Sequence, residues 1–299
     1  MLKFEGIETF VAAAEQGSLS AAARTLGVSR SVVSERLADL ERDVNARLIQ
    51  RTTRRMTLTE DGVAFLPRAR RILQDVSTAA AELAERRGEL TGSLRISAPV
   101  SFGYLHLGPA LYPFLQRHPG IDLTLDLDDR FVDIEADGYD AVIRHGPIRA
   151  SGVVALKLAQ SCRRLVASAS YLGANGTPQR VPDLEQHRAI LYTNRTSDWR
   201  FVTAGSVRAV QPQRAFRVNN GLVMRDAAVA GLGIALLPSF LTHREVQQGI
   251  LRIVDVGAEP ETAEINLAFP DAQRPSAKLR AVVDFLRDAF GTPPYWDIA

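Results

Sequence analysis

Few folds are open to the stretch between Ser18 and Glu41, because two short helix-forming runs stand on either side of a single glycine. Each run follows a serine, Ser18 or Ser29, whose hydroxyl can accept from the free amides of a first helical turn. Leu26 closes the first apolar stripe, and Gly27 can take the left-handed backbone that residues with a Cβ adopt only at a cost. Ala21, Ala22 and Ala23 are small enough for two helices to approach closely. Val28, Val33, Leu37 and Leu40 recur at helical spacing and form an inward face. The opposite face carries Arg30, Ser31, Ser34, Glu35 and Arg36, which can bond base edges and phosphates. The pattern is that of a helix-turn-helix, whose second helix lies in the DNA major groove. Helical bundles also contain alanine-rich hairpins with a glycine turn, so the surroundings must decide.

Those surroundings are basic. Arg47, Arg51, Arg54 and Arg55 follow the second helix with no acid among them, and from Arg24 to Arg55 eight arginines face four acids, a local net charge of +4. The whole chain carries only +2. Positive charge is therefore concentrated beside the reading helix, as phosphate neutralisation requires. A β-branched, arginine-rich segment at this place suits a wing, a small hairpin with a basic tip. The candidate DNA contacts are Ser18, Ser20, Ser29, Arg30, Ser31, Ser34 and Arg36 on the helices and Arg51, Arg54 and Arg55 on the wing. Phe4, Ile7, Val11 and Ala14 mark a preceding helix, which makes residues 1–59 a winged helix-turn-helix domain.

Thr59 is placed to cap a long helix running to about Arg87, the core of a linker over residues 60–90. Leu66, Ala69, Leu73, Val76, Ala80 and Leu83 alternate at intervals of three and four, an a/d seam of two and a half heptads. The seam can pack on its own domain or on one partner helix. The narrowness of the stripe between charged flanks favours a homodimer. Pro67 removes one backbone bond and predicts a kink near the helix start.

After Gly88–Gly92 the pattern changes to short strands alternating with helices, which predicts mostly parallel sheets covered on both faces. Strands are predicted over 94–98, 121–127, 139–144 and 153–158, with helices over 105–116 and 132–137. A second set follows, with strands over 164–168, 189–193, 199–203, 215–219 and 234–237 and helices over 222–230 and 238–248. The strand 265–269 and the helix 277–290 have no set of their own and return to the first. The expected fold is thus α+β and multidomain: the winged head, the long helix, and an effector domain over 91–299. In that domain lobe I takes 91–161 and 269–299, and lobe II takes 162–268. Ligands in such sheets sit beyond the carboxyl ends of strands and at helix N-termini. Three strand exits are equipped for this: Ser101-Phe102-Gly, Arg144-His-Gly and Asn219-Asn220-Gly. Ser101 and Asn219 are equally readable as plain helix caps. Asp129, Arg130 and Thr193 end strands that border the same space.

Composition excludes several alternatives. With 299 residues, 46% hydrophobic and 23% charged, the chain is ordinary soluble protein with room for two or three cores. Its single cysteine, Cys162, permits no intrachain disulfide and no cysteine-rich zinc cluster. The N-terminus lacks a signal-peptide core, and the longest apolar run is too short to span a bilayer, so a cytoplasmic protein without membrane contact is expected. No nucleophile elbow, phosphate loop or metal-binding histidine pair is present, and Gly231-Leu-Gly precedes a strand rather than opening a helix after one. The expectation is a regulator with no catalytic residues, metal or cofactor, set against two alternatives, an α/β enzyme and a ligand-independent nucleoid protein.

These residues carry a resemblance over essentially the whole chain. Phe10 to Ser29, Val33-Ser34, Leu40-Glu41, Arg51 to Arg55 and Leu58-Thr-Glu-Asp-Gly resemble the N-terminal pattern of the LysR-type transcriptional regulators. Leu94 to Gly103, Asp140 to Arg144 and Ala230 to Pro238 look like that family's inducer-binding module. The resemblance implies a periplasmic-binding-protein-like pair of lobes, a small-molecule effector, often an aromatic or carboxylic acid, and Ser101 as a ligand contact. It further implies double-stranded promoter DNA as a partner, a dimer or dimer of dimers, and RNA polymerase as a further candidate partner. The chain departs from the pattern at Arg30 and Arg36, where glutamines are usual. Arginine prefers guanine edges, so the operator cannot be borrowed from relatives. Asn45 replaces a usual glycine and Ile49 a usual phenylalanine.

Overall fold

The computed structural model describes residues 1–51, 56–85, 89–130, 132–148, 151–193, 199–203, 206–271 and 275–298. The chain divides into two compact units, one comprising Met1–Ser93 and Val132–Tyr139, the other Leu94–Phe131 and Asp140–Ala299.

In the first unit, α1 (Phe4–Gln16), α2 (Leu19–Thr25) and α3 (Arg30–Asp43) follow the predicted order. Ser18 accepts from the Ala21 amide and Ser29 from the Val32 amide, and Gly27 has φ +64°. Phe10, Ala22, Val33, Leu37 and Leu40 are buried together as the core of the head. Strands β1 (Ile49–Arg51) and β2 (Met56–Leu58) pair antiparallel with Ile49 opposite Leu58, which gives the wing its stem. Asn45 has φ +51°, the left-handed conformation that explains a usual glycine and that asparagine tolerates best among the others. The carboxylate of Glu41 then accepts from the amides of Leu48 and Ile49 at 2.8 and 3.0 Å, which fixes where the wing leaves α3.

Helix α4 (Glu60–Glu85) starts where expected: Thr59 Oγ1 accepts from the Gly62 amide. The helix continues through Pro67 as one element. The segment 132–139 also packs in this unit. Arg71 reaches Glu135 at 3.3 Å, and Gly138, at φ +72°, lies against the side chain of Arg70, itself bonded to Glu15 at 3.1 Å. The helix predicted over 132–137 is instead a run of turns. Asp133 accepts from the amides of Glu135 and Ala136 while Asp137 accepts from that of Asp133, and such local carboxylate bonds compete with helix.

The second unit contains two five-stranded sheets. Strand β3 (Gly92–Ala98) leads into α5 (Val100–Phe102), a π-helical turn (Gly103–Leu107) and α6 (Gly108–Arg117). Then come β4 (Ile121–Leu127), β5 (Ala141–His145), β6 (Val153–Ser161), β7 (Arg163–Ser168) and α7 (Ala169–Asn175). A 3₁₀ turn (Val181–Gln186) precedes β8 (Arg188–Tyr192), β9 (Arg200–Thr203), β10 (Ser206–Ala209), β11 (Gln213–Val218) and α8 (Gly221–Val229). The chain ends with β12 (Ile234–Pro238), α9 (Ser239–Gln247), β13 (Leu251–Ile253), β14 (Glu259–Pro260), β15 (Ala263–Pro270) and α10 (Ala277–Phe290).

The first lobe has the strand order β4-β3-β5-β15-β6 and the second β11-β8-β12-β7-β13. Their cores are separate: Ile96, Phe114, Ile143 and Leu286 are buried in the first, Leu165, Trp199, Phe201 and Leu236 in the second. The sheets are mixed rather than mostly parallel. β15 is antiparallel to β5 and β6, and β7 is antiparallel to β12 and β13. The strands that run against their neighbours are thus β7 and β15, where the chain passes from one lobe into the other. The strand predicted at 199–203 does not join the second lobe's sheet, but forms a small antiparallel sheet in the order β10-β9-β14.

Candidate functional site: a reading helix and an interlobe cleft

On the first unit, Arg30, Ser31 and Glu35 are exposed along the start of α3, with Ser34 and Arg36 half-buried beside them. Ser29 and Ser31 share a 2.7 Å hydroxyl contact at the helix N-terminus, and Ser20 is exposed on α2. Arg51 ends β1, while Arg54 and Arg55 lie outside the described residues.

The predicted seam of α4 divides in two. Ala69 is fully buried, and Leu66 and Leu73 pack against the head core, where Phe65 also meets Phe10 at a ring separation of 5.6 Å. Those three positions therefore serve their own unit. Val76, Ala80 and Leu83 are exposed, and with Ile72 they form the stripe that heptad spacing alone could not separate from its inward half.

On the second unit, a cavity of about 240 Å³ opens between the lobes. Four predicted residues line it, Ser101, Phe102, Asp129 and Arg144. The other four do not. Asn220 caps α8, its Oδ1 accepting from the amides of Leu222 and Val223, so the capping reading holds one residue later than Asn219. Asn219 and Thr193 are exposed, and Arg130 folds back onto Asp128.

The geometry of the lining follows from the strand exits. The residue after β3 opens α5, and Asp129, leaving β4, accepts from the Val100 amide at 3.1 Å, which ties the two exits together. Burial pushes the Asp129 carboxyl above its ordinary value, against the opposite pull of that amide and of Arg144. The Arg144 guanidinium is oriented by Ser97 Oγ at 3.0 Å and by the carbonyls of Ile143 and Arg130.

Sequence reasoning missed the second lobe's share. Arg163, only 9% exposed, and Pro238 are opposite one another where β7 and β12 pair, and both line the cavity. Tyr192 sits one residue before the predicted Thr193, on the other face of the strand. Met224, Phe240 and Leu241 add apolar wall. Gly221 lies where the lobes meet: a Cβ there would stand 2.6 Å from Leu241 of its own lobe and in ordinary contact, at 3.6 Å, with Ser101 Oγ of the other. The cavity thus offers an apolar interior with two guanidiniums and one carboxylate at its edge, chemistry for holding a small anion. Among the described residues no cluster of metal-ligating side chains occurs, and no helix is long and apolar enough to cross a membrane.

Comparison with known proteins matches both units. Residues 4–63 fit the family model for bacterial regulatory helix-turn-helix proteins of the lysR family, and residues 87–291 fit the LysR substrate binding domain. The transcriptional regulator PtxR of Pseudomonas aeruginosa is 32% identical over 98% of this chain and 95% of its own length. Among solved structures, CrgA, a LysR-type regulator from Neisseria meningitidis, superposes with a TM-score of 0.61 at 28% identity, covering 95% of this chain and 97% of that one. Full-length CbnR in complex with its target DNA shares the fold at a TM-score of 0.61 and 21% identity, over 96% of this chain and 99% of that one. A winged head matched by one model, a two-lobed body matched by the other and a relative aligned nearly end to end place this chain in the LysR family of transcriptional regulators.

Proposed function

We propose that the protein binds promoter DNA in response to a small aromatic or carboxylic acid held in the interlobe cleft. The observation that carries this reading is the cavity itself: Arg163 and Arg144 border an interior walled by Phe102, Met224, Phe240 and Leu241. An apolar body with one anionic group satisfies both parts, since charge-assisted bonds to guanidinium orient a carboxylate while its body displaces water. The volume is that of about eight water molecules, which suits a single ring or a short chain. Binding there shifts the balance between lobe arrangements and so the placement of the reading heads, without covalent chemistry and without an enzymatic role. The division of labour is residues 1–59 for DNA, 60–90 for self-association and 91–299 for the effector. The cytoplasm, where promoter DNA lies, is its place of action, and RNA polymerase is a further partner.

In this reading Ser18, Ser20, Ser29, Arg30, Ser31, Ser34 and Arg36 face the groove, and the wing arginines face phosphate. Arg30→Ala is expected to relax base preference by about 1–3 kcal/mol at one position per half-site, whereas Arg54→Ala weakens binding to every sequence and flattens the salt slope. Fluorescence anisotropy with operator and random duplexes over a salt series reads both, and equal effects on the two duplexes would remove the assigned roles. Thermal melting of the full chain with benzoate, salicylate and succinate tests the cleft. At least one acid should raise the midpoint, and Arg163→Met should abolish the rise. No shift with any of them, or no DNA binding at low salt, overturns the proposal.

Self-association uses the exposed half of α4. Val76 and Leu83 are 49% and 58% exposed, an arrangement suited to a partner helix. The double substitution Val76→Asp, Leu83→Asp is expected to give monomers in sedimentation velocity with the head intact. Leu73→Asp, by contrast, should melt the head, because Leu73 packs on its core.

A further inference from the structure

Behind the cleft stands the end of the first lobe, which does not line it. Phe102, leaving β3 in the first lobe, and Phe240, leaving β12 in the second, line the cleft and meet edge to face at a ring separation of 5.3 Å. Behind both lies Trp296 of the C-terminal tail, 2% exposed and outside the cavity lining. Its ring stands 6.0 Å from Phe102, 6.4 Å from Phe240, 4.9 Å from His106 and 5.2 Å from Phe290. Among the described residues the indole Nε1 has no hydrogen-bond partner, so shape rather than polarity seats this ring.

His106 joins the lobes directly. It lies on the π-helical turn after α5, a geometry rare enough that its occurrence beside a site is informative. Nε2 is 2.9 Å from the Phe240 carbonyl oxygen, and Nδ1 is bonded to the Tyr295 hydroxyl. A carbonyl can only accept, so Nε2 carries the proton and Nδ1 accepts from Tyr295. The chain Tyr295–His106–Phe240 therefore runs from the tail through the first lobe into the second. The tail itself is held by turns, with the Tyr295 amide on Phe290 O and the Asp297 amide on Pro294 O.

We infer that Tyr295, Trp296 and His106 are positioning residues of the effector cleft, setting how Phe102 of one lobe meets Phe240 of the other without touching the ligand. The inference rests on the cleft being the effector site. A change of angle between the lobes slides Phe102 past Phe240, and it must shear both rings across Trp296 or open the His106–Phe240 bond. The tail thus fixes how the two rings meet at rest and resists the motion that an effector would drive.

The test uses the full chain with Cys162→Ser, and with spin labels on Gln116→Cys in α6 and Gln247→Cys in α9, diluted with unlabelled protein. Electron–electron resonance reads the interlobe distance distribution, and benzoate titration reads the site. Trp296→Leu should at least double the width of the distribution and weaken benzoate binding about tenfold, and Trp296→Phe, which keeps an aromatic plug, should restore both. Tyr295→Phe and His106→Gln should broaden it with folding intact, so the result stands even if Trp296→Leu fails to fold. An unchanged distribution in His106→Gln and Tyr295→Phe overturns the inference, because a residue of purely structural value lowers the melting midpoint without moving the lobes. If benzoate fails to bind the parent protein, the acid-effector reading loses support while the distance distribution still decides the role of the tail.

Discussion

As the pH falls from 6.5 to 4, the protein should lose about 3 kcal/mol of stability through one residue, His106. Burial holds this imidazole well below its ordinary value, at about 4, with the bond to Phe240 opposing and His243 and Arg244 adding to the shift. In the folded protein His106 is neutral over this range, whereas in the unfolded chain it takes up a proton below about 6.5. The unfolded state then binds more protons, so stability is fully present above pH 6.5 and declines until the folded-state value is reached. Tyr295 faces one ring nitrogen and the Phe240 carbonyl the other, and among the described residues no carboxylate is bonded to the ring to rescue the cation. His243 and His187 are shifted down by burial as well and add loss of the same sign. Urea unfolding at pH 7.5, 5.5 and 4.5 measures the slope. His106→Gln should be less stable at pH 7.5 and distinctly flatter below it, and parallel slopes for the two proteins would show that the acid loss arises elsewhere.

Gly62→Ala carries the second large effect, expected on the head alone. The added Cβ would lie 2.0 Å from the Leu48 carbonyl oxygen and 3.0 Å from its carbon, both backbone atoms that no rotamer change can move aside. Leu48 is pinned on both sides, its amide by Glu41 and its carbonyl by the Thr59 amide at 3.1 Å. Relief must therefore come from parting α4 and the wing, at a cost near the top of the overpacking range, about 3 kcal/mol. Calorimetry should show a lowered head transition with the effector unit's transition in place, and operator binding should weaken with it. Gly173→Ala serves as the control, since a Cβ there meets nothing within 4 Å and the site is helical. Equal behaviour of the two variants would mean that α4 and the wing yield easily.

What was legible in the sequence is what is local. Ser18, Gly27 and Ser29 announce two helices and their turn because caps and left-handed glycines act within three or four residues. Ser101, Phe102, Asp129 and Arg144 could be found because strand exits are where such sheets bind ligands. The second lobe's contribution was hidden by its chemistry. Met224, Phe240 and Leu241 have the look of any helix core, and Arg163 that of any strand charge, until folding brings them to the same cavity. The α4 seam shows the limit of periodicity: it marks Leu66 and Leu83 alike, although one packs on its own head and the other is exposed. At 132–137 apolar spacing suggested a helix, yet the carboxylates of Asp133 and Asp137 take the amides that a helix would need. Trp296 gave no signal at all, since an irregular tail has no period to read.

The place of β15 in the first lobe governs the order in which a nascent chain can be completed. This strand lies between β5 and β6, yet it ends at Pro270, whereas the last strand of the second lobe's sheet ends at Ile253. On the ribosome the second lobe can therefore close while the first still has a gap in the middle of its sheet. At about 5–20 residues per second, the further synthesis of β15 and α10 leaves that unpaired edge waiting for some seconds. The lobe that is begun first is finished last.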